Sequence, residues 1–137
     1  DWLHVEDHCR GIAACLTSGQ PGETYNIGGG VELPNLEVIA AICREVDRAF
    51  AEIEGLAARY PDAPAARGEP TESLKTFVTD RAGHDRRYAI DETKARAELG
   101  YAPVHDFDEG LRQTLRWYLA NEHWWQPLVH RIPKPVA

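Results

Sequence analysis

Asn35-Leu36-Glu37-Val38-Ile39-Ala40-Ala41-Ile42-Cys43-Arg44-Glu45-Val46-Asp47-Arg48-Ala49-Phe50-Ala51-Glu52-Ile53 decides the architecture. Leu36, Ile39, Ile42, Cys43, Val46, Phe50 and Ile53 recur at steps of three and four, the spacing of one apolar helix face. Pro34 precedes the run, Asn35 takes the N-cap position and Glu37 falls in the first turn. Upstream, Thr24-Tyr25-Asn26-Ile27 reads as a short strand stopped by Gly28-Gly29-Gly30. Before that strand, Cys9, Ile12, Ala13 and Leu16 predict a helix. Glu6 and Asp7 place negative charge at its start, and Gly19, Pro21 and Gly22 end it. Residues 2–5 alternate like a strand.

Downstream, residues 59–75 hold several prolines and little apolar content, and they predict a long surface loop. Thr76-Phe77-Val78-Thr79 predicts another strand. Asp91 is expected to cap a short helix ending at Gly100. Asp106 and Glu109 have the spacing of a capping box, opening a helix with Phe107, Leu111, Leu115 and Leu119 on one face. Trp124, Trp125 and Pro127 are expected to close that helix, and 128–137 to trail off as a tail. Helices interleaved with short strands give an α/β or α+β class. The strands are too few to complete a doubly wound sheet.

The 137 residues carry 15 Lys+Arg against 22 Asp+Glu, a formal net charge of -7 that argues against a nucleic-acid surface. No apolar run reaches the roughly 18 residues needed to span a bilayer. Cys9, Cys15 and Cys43 form no Cys-x-x-Cys pair and predict buried free thiols in a reducing cytosol. The chain lacks Met and opens in an apparent strand, so it is expected to be a fragment.

The densest polar stretch is Asp80-Arg81-Ala82-Gly83-His84-Asp85-Arg86-Arg87-Tyr88. Arginine's planar fork matches phosphate oxygens, and histidine adds a further donor, so the set suits a diphosphate. From composition alone, a surface cluster in which Asp80 and Asp85 pair with Arg86 and Arg87 is the favoured reading over an anion site. Gly28-Gly29-Gly30 lacks the G-x-G-x-x-G spacing and reads as a turn. Asn35 suits a helix cap or a phosphate contact at a helix N-terminus. His4 and His8 have a ligand-like spacing but no evident third ligand, so no metal site is assigned. Trp124 and Trp125 read as packing residues in preference to a stacking platform. There is no G-x-S-x-G elbow and no Tyr-x-x-x-Lys pair, and no catalytic or cofactor-binding residue is nominated.

Asp1-Trp2-Leu3-His4-Val5-Glu6-Asp7-His8, Thr24 to Gly29 and Asp80 to Asp91 together resemble the dTDP-glucose 4,6-dehydratases. Leu99-Gly100-Tyr101, Trp117 to Asn121 and Trp124-Trp125 fit the same pattern. These enzymes belong to the extended short-chain dehydrogenase/reductase superfamily. The resemblance implies an α/β fold whose C-terminal, substrate-binding part is this chain, with helices, a few short strands and the Rossmann half missing. It implies that Asn35, Arg81 and His84 contact the nucleotide diphosphate of a dTDP-sugar, joined by an arginine expected just before Asp1. It implies NAD bound by the absent half, and conversion of dTDP-glucose to dTDP-4-dehydro-6-deoxyglucose plus water. The chain alone is then expected to be inactive. The intact protein is expected to be a cytoplasmic homodimer with no nucleic-acid or membrane partner. Ala82 stands where the family usually has proline, and the segment from Ala57 to Ser73 is longer than usual. A different sugar-nucleotide epimerase or dehydratase, or a non-catalytic nucleotide-binding module, are the alternative readings.

Overall fold

Six α-helices and two 3-10 turns follow one another along residues 1–129, the part of the chain that the computed structural model describes. They are α1 (Val5–Ser18), α2 (Asn35–Glu52), α3 (Leu56–Arg59), α4 (Thr93–Leu99), α5 (Phe107–Ala120) and α6 (Glu122–Val129). The 3-10 turns, Pro64–Arg67 and Thr71–Leu74, lie between α3 and α4. Among the described residues no helix is long and apolar enough to cross a membrane.

The segments expected as strands, 2–5, 24–27 and 76–79, are not strands: no described residue has strand structure. None of them is joined into a hydrogen-bonded ladder among the described residues. Trp2 donates its amide to the Val31 carbonyl at 2.8 Å, but this bond stands without a ladder around it. Val5 instead opens α1, where the His4 ring nitrogen Nδ1 accepts the Glu6 amide at 3.4 Å.

Local signals placed α4 and the start of α5; α3 was not expected, and α5 ends earlier than expected, at Ala120. Asp106 caps α5 by accepting the Glu109 amide at 2.9 Å. Gly100 ends α4 with φ 64°, a conformation that costs a residue with a Cβ. Asp91 accepts the Thr93 amide at 2.9 Å, one residue before the N-cap Glu92. Asn35 is the first residue of α2, not its cap; Pro34 holds the cap position without a side-chain bond. The closing tryptophans belong to a separate α6, which begins after Asn121 and tolerates Pro127 within it. Leu128 and Val129 lie in α6, so the expected tail starts too early. Its remainder, 130–137, lies outside the described residues.

The core is small: Val38, Ala41, Cys43, Ala49, Leu56, Ala95 and Tyr101. α5 packs on α2, with Phe107, Leu111, Leu115 and Leu119 all half-buried on its apolar face. The α2 stripe is only partly used. Cys43 is buried and Val46, Phe50 and Ile53 are half-buried, while Leu36, Ile39 and Ile42 are exposed. Val38, Ala41 and Ala49 are buried instead, so the packed face is rotated from the apolar stripe. In α1 the change is larger. Ile12 and Leu16 are exposed, and the buried positions are Asp7 and Gly11. Periodicity finds an apolar face but not the surface that covers it. The cysteines divide accordingly: Cys9 is exposed, Cys15 half-buried and only Cys43 buried. Burial raises the Cys43 thiol pKa, with the nearby Glu72 carboxylate adding to the shift.

The 59–75 segment is tied to α2 through Asp47, whose carboxylate accepts the Thr71 amide at 3.0 Å and the Thr71 hydroxyl. Pro64 within it is buried.

The glycine run is a close-packing device. Tyr101 donates its buried hydroxyl to the Gly28 carbonyl at 2.8 Å. A Cβ on Gly29 would sit 2.1 Å from the Trp2 carbonyl oxygen, a backbone atom that cannot swing aside. Gly29→Ala is therefore expected to destabilise the protein by about 1 to 3 kcal/mol, the usual range for overpacking. Gly22→Ala, at a glycine with open space around it but φ 86°, is expected to cost less. Urea denaturation of both variants checks the order.

Candidate functional site

The stretch 76–91 crosses the surface with every residue exposed. Gly83 turns it, with φ 72°. Within the turn each carboxylate takes a local partner. Asp80 Oδ1 accepts the Arg81 backbone amide at 2.8 Å and the His84 ring nitrogen Nδ1 at 2.7 Å. An ionised carboxylate can only accept, so Nδ1 carries the proton and Nε2 is left for another partner. The His84 bond, with the Arg81 amide, outweighs desolvation and holds the Asp80 carboxyl below its ordinary pKa. Asp85 accepts the Tyr88 hydroxyl at 2.7 Å, and this bond raises the Tyr88 pKa.

The arginines do not pair with these carboxylates as the ion-pair-cluster reading requires. Arg87 reaches across to Glu32 at 2.5 Å. Arg81 and Arg86 make no ion pair among the described residues. Among the described residues Arg81 and Arg86 thus lack a carboxylate partner, and Arg81 lies within hydrogen-bonding reach of the Tyr88 hydroxyl.

Arg81 and His84 are brought together through Asp80. Asn35 is exposed at the start of α2, and no hydrogen bond joins it to either residue among the described residues. The tie between the turn and that helix start is the Arg87–Glu32 pair, three residues before Asn35. Trp125 donates its indole N–H to the Tyr118 carbonyl at 2.8 Å, and Trp124 meets Trp117 edge to face at 5.2 Å. Trp125 is half-buried in the α5–α6 corner, whereas Trp124 rests on Trp117 and stays 55% exposed.

One constellation has no counterpart in the sequence reading. Asp7 is 1% exposed, and its carboxylate accepts the amides of Val104 and His105 at 3.1 and 3.0 Å. The same carboxylate accepts His105 Nδ1 at 2.9 Å. Burial opposes its ionisation, yet these three donors outweigh burial and keep its pKa below the ordinary value. His105 also stacks against His4, ring centroids 4.1 Å apart. His8 points elsewhere, into a surface groove with Ile12 and Tyr25. No spacing rule could reveal this arrangement, because Asp7 and His105 are 98 residues apart in sequence.

The GDP-mannose 4,6 dehydratase family model matches residues 1–114. The chain belongs to that family. Its curated relatives include the dTDP-glucose 4,6-dehydratase of Xanthomonas campestris pv. campestris, 46% identical over 129 residues, covering 94% of this chain and 33% of that protein. Among solved structures, dTDP-glucose 4,6-dehydratase from Streptomyces venezuelae, with NAD and a second ligand bound, matches at TM-score 0.71 and 40% identity. The same enzyme from Bacillus anthracis, in complex with NAD, matches at TM-score 0.70 and 39% identity. Each alignment covers 93% of this chain and 33% of the solved one. The chain thus spans about a third of the length of the dehydratases it matches. The resemblance carried by the Arg81–Tyr88 run and its companions is borne out at the level of the family.

The Gly28-Gly29-Gly30 run does not fit the pyrophosphate of NAD. It is closed against the Trp2 carbonyl and its Gly28 carbonyl is engaged by Tyr101, so no backbone cradle is open to a pyrophosphate there.

Proposed function

We propose that this chain is the substrate-binding part of a dTDP-glucose 4,6-dehydratase and clamps the nucleotide diphosphate with Arg81, His84 and Asn35. The observation that carries the reading is the division of labour in the Asp80–Tyr88 turn. Both carboxylates are engaged locally, and Arg81 and Arg86 have no carboxylate partner among the described residues. An arginine fork can grip phosphate oxygens with two parallel bonds, and His84, with both ring nitrogens protonated, can add a third from Nε2. The names of the relatives supply the base and sugar.

Such a clamp acts by positioning. Holding the unreactive diphosphate fixes the sugar relative to the reacting centre, so binding energy from a remote group lowers the barrier. NAD would be held by another part of the protein. The intact enzyme is proposed to be a cytoplasmic homodimer that releases water and dTDP-4-dehydro-6-deoxyglucose. The chain by itself is proposed to be inactive.

A second reading, that the substrate is GDP-mannose, is favoured by the description of the matching family. Turnover of the full-length protein on dTDP-glucose, UDP-glucose, CDP-glucose and GDP-mannose separates the two. Formation of the 4-keto product is expected from dTDP-glucose at the highest kcat/KM. A preference for GDP-mannose would replace the proposal, and no turnover of any nucleotide sugar would end the dehydratase reading.

A further inference from the structure

We propose that His4, Glu6 and His105 form a divalent transition-metal site that clamps the start of α1 to the loop before α5. The three residues each offer one ligand atom, and these atoms lie within 4.8 Å of one another. Glu6 Oε2 and His105 Nε2 are 3.7 Å apart. In a tetrahedral site with bonds of about 2.0 to 2.1 Å, neighbouring ligand atoms are separated by roughly 3.4 Å. The pair is thus near ligand spacing already. The Glu6 side chain is 70% exposed, so it can change rotamer to close the remaining gap.

The ring nitrogens are sorted for the task. His105 Nδ1 donates to the buried Asp7 carboxylate at 2.9 Å, which fixes the tautomer and leaves Nε2 with its lone pair outward. A carboxylate on the far nitrogen is the arrangement that orients metal-bound histidines and strengthens them as ligands. His4 Nδ1 accepts the Glu6 amide, leaving its Nε2 unengaged. The two rings are held 4.1 Å apart by stacking and by the chain, so little ordering remains for a metal to impose.

Both histidines also line a cleft of about 160 Å³ with Trp2, Gly29 and Phe107. Glu6 does not line this cleft; the cleft leaves space for water beside the two rings, and a solvent molecule would complete four-fold coordination. Two imidazoles and one carboxylate suit zinc, cobalt or nickel; magnesium and calcium prefer oxygen sets. The competing account is a solvent-exposed Glu6–His105 ion pair beside two stacked rings. That account gives no metal affinity. The proposal is independent of the diphosphate clamp, which lies on the 80–88 turn.

The test is calorimetric titration of chelator-treated full-length protein with Zn²⁺, repeated with Co²⁺ to read the visible absorption of a tetrahedral centre. One ion per chain is expected. His4→Ala and Glu6→Gln should each weaken binding by at least the roughly 10- to 100-fold lost when an outer-shell partner is removed. His8→Ala should leave the affinity unchanged. Circular dichroism confirms that the variants are folded; Glu6→Gln changes an exposed side chain and keeps the test decisive if His4→Ala does not fold. Absence of Zn²⁺ binding by the unmodified protein would overturn the proposal. Binding that both variants retain in full would equally overturn it, by placing the ion elsewhere.

Discussion

Replacing Asp7 with alanine is expected to destabilise the protein by about 3 to 5 kcal/mol, the range for removing one member of a buried charged network. The carboxylate is 1% exposed and receives two backbone amides and one imidazole N–H. Alanine would leave those donors without their acceptor. Asp7→Asn keeps the shape but turns an NH₂ toward at least one donor, so it should recover little. The effect has a defined pH dependence. The folded carboxyl titrates below its ordinary value, because the amides and imidazole outweigh the burial that opposes its ionisation. Its contribution is therefore complete above the unfolded value of about 3.9 and is lost as pH falls through the lower folded value. Urea denaturation in a chelating buffer at pH 7 and again near pH 3 checks this. The gap between the unmodified protein and Asp7→Asn should be large at pH 7 and shrink in acid. Equal stabilities at pH 7 would show that the network contributes nothing net.

Arg81→Ala in the full-length protein is expected to weaken binding of a dTDP-sugar by about 2 to 4 kcal/mol, as for loss of one partner of a desolvated charge pair. Arg81 is exposed in the structure, so the full effect requires the ligand itself to cover the guanidinium. Arg81→Lys should restore only part of the loss, because a point charge cannot reproduce the two-bond fork. His84→Ala should cost less than Arg81→Ala. It removes one donor and also releases Asp80, whose free carboxylate would then repel phosphate. Glu72→Ala, in the second 3-10 turn, should change nothing. Dissociation constants measured by calorimetry test the series. An unchanged value for Arg81→Ala would mean that the turn is only an exposed, solvated cluster.

Much of the secondary structure was legible because its signals are local. The Asp106 cap, the left-handed Gly100 and the break at Gly19 act within a few residues of where they sit. The strands were misread for the opposite reason. Thr24 to Ile27 and Thr76 to Thr79 have the composition of strands, but a strand exists only with a partner at the right distance. The site was legible in part. The Arg81–Tyr88 run stood out because three arginines and a histidine gather around one glycine in an acidic chain. Composition could not say which charges pair, and pairing is what leaves Arg81 and Arg86 without carboxylates among the described residues while engaging Arg87.

By itself, the sequence determined several helix ends, the apolar stripes and the family to which the chain belongs. Those depend on neighbours three or four residues away, or on a linear motif. Only the tertiary structure decided which faces are covered. It turned Ile12 and Leu16 outward, buried the charged Asp7, and brought His105 onto both His4 and Asp7 across nearly a hundred positions. Burying a carboxylate is favourable only where several donors converge on it, and convergence of distant donors is a property of packing that no local pattern encodes.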